Sequence, residues 1–118
     1  MIANRLSARF LSMTLAAFVM TLLVAPQSDA QTSAALYTQH CAGCHGTSGK
    51  GDGPAGKYLK PTPADFAVSL KGKSDAWIAK SIKEGGKAVG ESPVMPASPD
   101  LSDDQVKGLV DYVKHLGS

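Results

Sequence analysis

The chain has 118 residues, 19% of them charged, and a formal net charge of +2. That is enough chain for one small domain. The charge balance excludes a nucleic-acid-binding surface, since the only arginines are Arg5 and Arg9 and no dense basic run follows them.

The first thirty residues read as a secretory signal peptide. Met1 to Arg9 carries two positive charges and no acidic residue, and residues 10–25 are almost entirely apolar. Pro26 ends that run, and Ser28-Asp29-Ala30 places small residues where a signal peptidase reads them, so cleavage is expected after Ala30. The alternative is an uncleaved anchor, for which the run is short of the ~20 residues that a bilayer span takes. The expectation is an exported, periplasmic bacterial protein that begins at Gln31, with one domain over 31–118 and no membrane span after cleavage. A domain of that size is marginal on its own.

Thr32 or Ser33 can cap a short helix that runs to His40. Tyr37, Cys41 and Cys44 follow at spacings of four and three, on one helical face, with Tyr37 as core. Cys41-Ala42-Gly43-Cys44-His45 is the stretch that carries chemistry. Two cysteines two residues apart, with a histidine directly after the second, are the pattern of covalent c-type haem attachment. Each thiol adds across one haem vinyl group to form a thioether. The two small residues between let one turn span both vinyls, and His45 then falls under the ring, where its imidazole can ligate iron. A thioredoxin-like dithiol, a disulfide and half of a zinc site are the competing readings. The dithiol wants a βαβ context, and zinc has only His40 and His115 left as further histidines. Export fits haem attachment, and it also permits a Cys41–Cys44 disulfide, to be reduced before the thiols add. A bound haem would stabilise the native state, so the chain without it is expected to fold poorly.

Residues 46–56 hold five glycines and form a loop. They match no phosphate-binding pattern, and their expected task is to wrap closely past the haem. Residues 60–66 are extended or turning, because proline and its predecessor avoid helix. Phe66, Val68 and Leu70 are expected to pack on the haem or the core. The carbonyl of Pro54, Pro61 or Pro63 is expected to accept from the second ring nitrogen of His45.

Ser74 caps a helix over Asp75 to Glu84, with Asp75 in its first turn and Gly85-Gly86 as its stop. Trp77, Ile78 and Ile82 form its apolar side. Pro93, Pro96 and Pro99 then stiffen a strap that carries Met95, the only methionine beyond the signal peptide. A lone methionine is often core filler. Here it sits in a rigid loop far from His45, so it is assigned as the sixth iron ligand, against His115, His40, a lysine or an open site. Ser102 and Gln105 match a capping box, and Val106, Leu109, Val110, Val113 and Leu116 recur at helical spacing up to Gly117. That last helix is expected to pack on the Tyr37 face of the first. Eight lysines against four acidic residues lie between Lys50 and Lys87, a basic side that could steer an acidic partner.

Cys41 to Gly46, Gly49 to Pro54, Pro61 to Phe66 and Met95-Pro96, in that order across residues 31–118, resemble the small single-haem bacterial class I c-type cytochromes. The resemblance implies an all-α fold of three or more helices around one covalent haem c, with the N- and C-terminal helices crossing. It implies thioethers from Cys41 and Cys44, iron ligation by His45 and Met95, and one-electron transfer without enzymatic turnover. With no arginine after Arg9, a haem propionate would rely on lysine, Trp77 or Tyr58. The expected function is a soluble carrier between transient periplasmic donor and acceptor proteins. The alternatives are a haem c subunit of a larger oxidoreductase, a haem enzyme or sensor with a labile sixth ligand, and a haem-free thiol–disulfide protein.

Overall fold

The computed structural model describes residues 31–118, so the expected signal peptide over 1–30 lies outside the described residues. Among the described residues the structure is all helical, as expected, with five α-helices, two short 3-10 turns and no strand.

Each longer helix begins where a side-chain oxygen meets a free backbone amide. α1 (Ser33–His40) starts at Thr32, whose hydroxyl accepts from the Ala35 amide. It stops at Cys41, where the backbone leaves helical geometry, and α2 (Ala42–His45) restarts immediately. α3 (Phe66–Ser69) is one turn opened by the Asp65 carboxylate, which accepts from the Ala67 amide. α4 (Asp75–Glu84) is capped by Ser74 and ended by Gly85 at φ +88°. α5 (Asp103–Leu116) carries the full capping box, with Ser102 and Gln105 each satisfying the other's amide. Gly56–Tyr58 and Gly86–Val89 form the 3-10 turns.

α5 is the hub, packing against α1, α3 and α4. Its Val106, Leu109, Val110 and Val113 meet Leu36 and Tyr37 of α1 and Ile78 and Ile82 of α4 in one core. Burial of each such aliphatic side chain contributes roughly 1.5–3 kcal/mol. The first and last helices pack on each other as expected, and the Tyr37 and Tyr112 rings meet at a tilt of 49° with centres 5.2 Å apart. Gly108 brings the two close, since a Cβ there would lie 2.5 Å from Ser33 Oγ.

One packing expectation is corrected. Phe66 is buried and Leu70 is packed against the core, but Val68 is 69% exposed. Asp65 starts a helical turn, so residues 66 and 70 share a face and residue 68 points away from it.

Candidate functional site

α2 is so short that its carbonyls need partners from outside the helix. The Gly-rich loop supplies them in reverse order. Ala55 N–H donates to Gly43 O at 2.8 Å, Gly53 N–H to Cys44 O at 3.2 Å, and Gly51 N–H to His45 O at 2.8 Å. The approach is too close for side chains. A Cβ on Gly53 would lie 2.5 Å from Gly43 O and 2.6 Å from Ala42 O, and one on Gly56 would run into the Cys44 carbonyl. The loop therefore grips the backbone of the attachment turn. Its residues 46–58 contribute nothing to the cavity walls described below.

Two aromatic residues support the turn at His45. The Tyr37 hydroxyl, buried, donates at 2.6 Å to the carbonyl of Gly46, the residue after His45. Burial pushes that hydroxyl's pKa up to about 12, with Cys41 adding to the effect, so it stays a donor at ordinary pH. The Phe66 ring meets Tyr37 edge-on at 6.4 Å and lies 4.8 Å from the His45 ring, tilted by 31°. Phe66 is placed by its own N–H, which donates to Gly49 O at 2.8 Å. Burial lowers the His45 pKa and keeps the imidazole neutral, the form that can ligate a metal. Its Nδ1 is buried without a hydrogen-bond partner. The expected acceptance by Pro54, Pro61 or Pro63 is thus not formed, and the Pro63 carbonyl instead closes on Gly51.

The turn faces a cavity of about 460 Å³, within the ~300–1,000 Å³ typical of ligand and cofactor sites. Cys41, Cys44 and His45 line one side, Phe66, Leu70, Trp77, Ile78 and Ile82 form apolar walls, and Val94, Met95 and Pro96 close it from the strap. All four site residues expected from sequence therefore meet at one space. Both cysteines are free thiols. Burial, with Cys44 nearby, pushes the Cys41 thiol up to about 11. An apolar cavity lined by two thiols, a thioether and a neutral imidazole fits a large apolar cofactor that bonds to sulfur and nitrogen.

The strap is stitched to the end of α4. Gly86 N–H donates to Met95 O at 3.1 Å, Glu91 N–H to Gly86 O at 2.9 Å, and Ser98 N–H to Ile82 O at 3.0 Å. Gly86 permits this, because its absent Cβ would strike the Ser92 carbonyl. Among the described residues no lysine lines the cavity, and the ionisable side chains there besides Cys41, Cys44 and His45 are His40 and Glu91. Of the three expected propionate partners, Trp77 alone reaches the wall. Tyr58 is 77% exposed, with the Lys57 ammonium over its ring. Lys73 stands outside, 4.1 Å above the Trp77 ring and 3.8 Å from Glu91. His115 is exposed on α5 and takes no part. Sequence reasoning missed the Tyr37 hydroxyl, whose signal was a polar tip on a core position.

The Cytochrome c family model matches residues 30–117. The cbb3-type cytochrome c oxidase subunit FixP of Rhizobium meliloti (strain 1021) is 35% identical over 105 residues, 86% of this chain and 33% of its own length. FixP of Azorhizobium caulinodans is 34% identical over 89 residues, 75% of this chain and 27% of its own. FixP of Sinorhizobium medicae (strain WSM419) is 33% identical over 105 residues, with 86% and 33% covered. The chain thus spans about a third of the length of these relatives. No solved structure matches it.

Proposed function

We propose, since the chain belongs to the cytochrome c family, that it passes single electrons as the haem c subunit of a larger oxidoreductase complex. The haem, when bound, supplies a one-electron iron couple. Cys41 and Cys44 would hold it through thioethers, and His45 and Met95 would ligate its iron. The meeting of those four side chains at one apolar cavity carries this assignment. Neutral imidazole and thioether add no charge, and the thioether favours the reduced state and raises the potential. With His45 and Met95 both given to the iron, no open site would be left for a substrate, which favours electron transfer over enzymatic chemistry. Phe66, Ile78, Ile82 and the strap line the cavity and would exclude water from a bound cofactor.

The reading as a subunit rests on the relatives, each named as a subunit of a cbb3-type oxidase. A freely diffusing periplasmic carrier with transient donor and acceptor partners is the second reading, favoured by the export signal expected over residues 1–30. No helix among the described residues is long and apolar enough to cross a membrane. Purification of the tagged full chain from its native cell in mild detergent separates the two. Recovery with an oxidase at fixed stoichiometry is expected, and recovery as a lone haem protein would establish the free carrier.

A further inference from the structure

The attachment turn fixes the backbone on both sides of residue 52. Gly51 N–H donates to His45 O at 2.8 Å and Gly53 N–H to Cys44 O at 3.2 Å, so Asp52 between them is held against the turn. Its side chain folds back onto Gly46, the residue after His45, where a Cβ on Gly46 would run into Asp52 Oδ1. Asp52 is the only acidic residue from Cys41 to Ala64. Among the described residues no lysine lies within ion-pairing distance of its carboxylate, since the ion pairs there join Lys73 to Glu91, Lys83 to Asp103 and Lys114 to Asp75. Glu91, the carboxylate that lines the cavity, is offset by Lys73 at 3.8 Å. Asp52 is thus a negative charge left without a cation on the attachment turn. Its field reaches the core, where it adds, behind burial, Cys41 and Tyr112, to the raised pKa of the Tyr37 hydroxyl.

We propose that Asp52 is an electrostatic determinant of the reduction potential, holding it lower than the two axial ligands alone would. This rests on the reading of His45 as an iron ligand. Oxidation removes one electron and leaves one more positive charge at the iron, so a fixed negative charge nearby favours the oxidised state. The thioether acts in the opposite direction. Asp52 does not line the cavity, so it acts through space, from beyond the backbone of the turn. The side chain is exposed, and salt therefore damps its field, over a Debye length of about 8–10 Å at ordinary ionic strength. Asparagine has nearly the same shape without the charge, and it separates the field from the packing.

The test uses the full chain matured with haem, as wild type, Asp52→Asn, Asp52→Ser and Asp104→Asn, which removes an equal charge from the first turn of α5. The wild-type spectrum is read first. Without low-spin, covalently bound haem there, the ligand assignment itself fails, whatever Asp52 does. Given that haem, midpoint potentials are measured by spectroelectrochemical titration at low and at high salt. Asp52→Asn is expected to keep the wild-type spectrum and to raise the potential at low salt, by more than Asp104→Asn does, with the difference shrinking at high salt. Asp52→Ser, whose hydroxyl can still accept from a backbone amide in the turn, carries the test if Asp52→Asn yields no holoprotein. An unchanged or lowered potential would overturn the proposal, as would a rise no larger than that of Asp104→Asn or one indifferent to salt. Failure of both neutral variants to mature would overturn it too, and make Asp52 a residue that folds the turn.

Discussion

The Cys41–His45 turn is gripped by backbone along its length, whereas the Met95 strap is tied at a few points to the end of one helix. On the first side, loop amides occupy the carbonyls of Gly43, Cys44 and His45, and glycines allow contact that no side chain could share. On the second, Met95 is half-buried, its neighbours Val94 and Pro96 are exposed, and three backbone hydrogen bonds join the strap to α4 and the turn after it. The difference teaches how the work is divided. The side that forms covalent bonds must be in place for attachment, so its geometry is fixed by contacts that leave no alternative. On the proposed assignment, the side that supplies only a thioether can be held loosely, because the ligand bond would complete its order.

Substitutions can break or sharpen that contrast. The largest effect is expected at Gly53, which is outside the motif but against its backbone. Gly53→Val would drive side-chain atoms into the Gly43 and Ala42 carbonyls, and nearly complete loss of haem-bearing protein is expected in a host that attaches haem. Gly43 lies inside the motif, yet a Cβ there meets nothing within 4 Å. Gly43→Ala should therefore mature normally and gain up to about 1 kcal/mol of stability from helix propensity, read by thermal melting. Equal yields from Gly53→Val and Gly43→Ala would erase the contrast.

The grip also has a pH signature. The Tyr37 hydroxyl has its pKa raised from 10.0 to about 12 in the folded chain, first by burial. The unfolded chain therefore releases this proton at lower pH than the folded one. The contribution is complete below pH 10 and is lost as pH rises toward about 12. Wild type should lose stability across that window more steeply than Tyr37→Phe, in denaturant titrations run side by side. Parallel curves would mean that the hydroxyl is not held protonated by the fold. The smallest effect belongs to the strap's outer clip. The Lys73–Glu91 pair, at 3.8 Å with both side chains partly exposed, is an ion pair of the kind worth about 0–1 kcal/mol. Lys73→Met should leave the melting temperature almost unmoved. A large drop would show that the strap depends on its surface charges.

Much of this was legible in the sequence because it is local. Ser74, Ser102 and Gln105 act three residues along the chain, so α4 and α5 were placed to the residue. The spacing within Cys41–His45 and the solitude of Met95 beyond the signal peptide named the site without any knowledge of distance. The rest depends on contacts that composition does not encode. The loop reads as glycine-rich, but that it bonds the backbone of α2 follows only from the fold. α3 is too short for a period to emerge over Phe66 to Leu70, so Val68 was placed on the wrong side. Trp77 reached the cavity wall and Tyr58 did not, though both are aromatic residues near lysines. Nothing in a single sequence could show that His45 Nδ1 would lack a proline carbonyl.

The central claim is that His45 and Met95 hold the iron of one covalent haem from opposite sides of this cavity. The direct test is the ferric absorption spectrum of the matured full chain, wild type and Met95→Ala, read for the charge-transfer band that a thioether sulfur gives on low-spin iron. The account predicts that band in the wild type and its loss in the variant, with haem still bound through Cys41 and Cys44. A band that survives Met95→Ala, or a wild type without covalent haem, would contradict it.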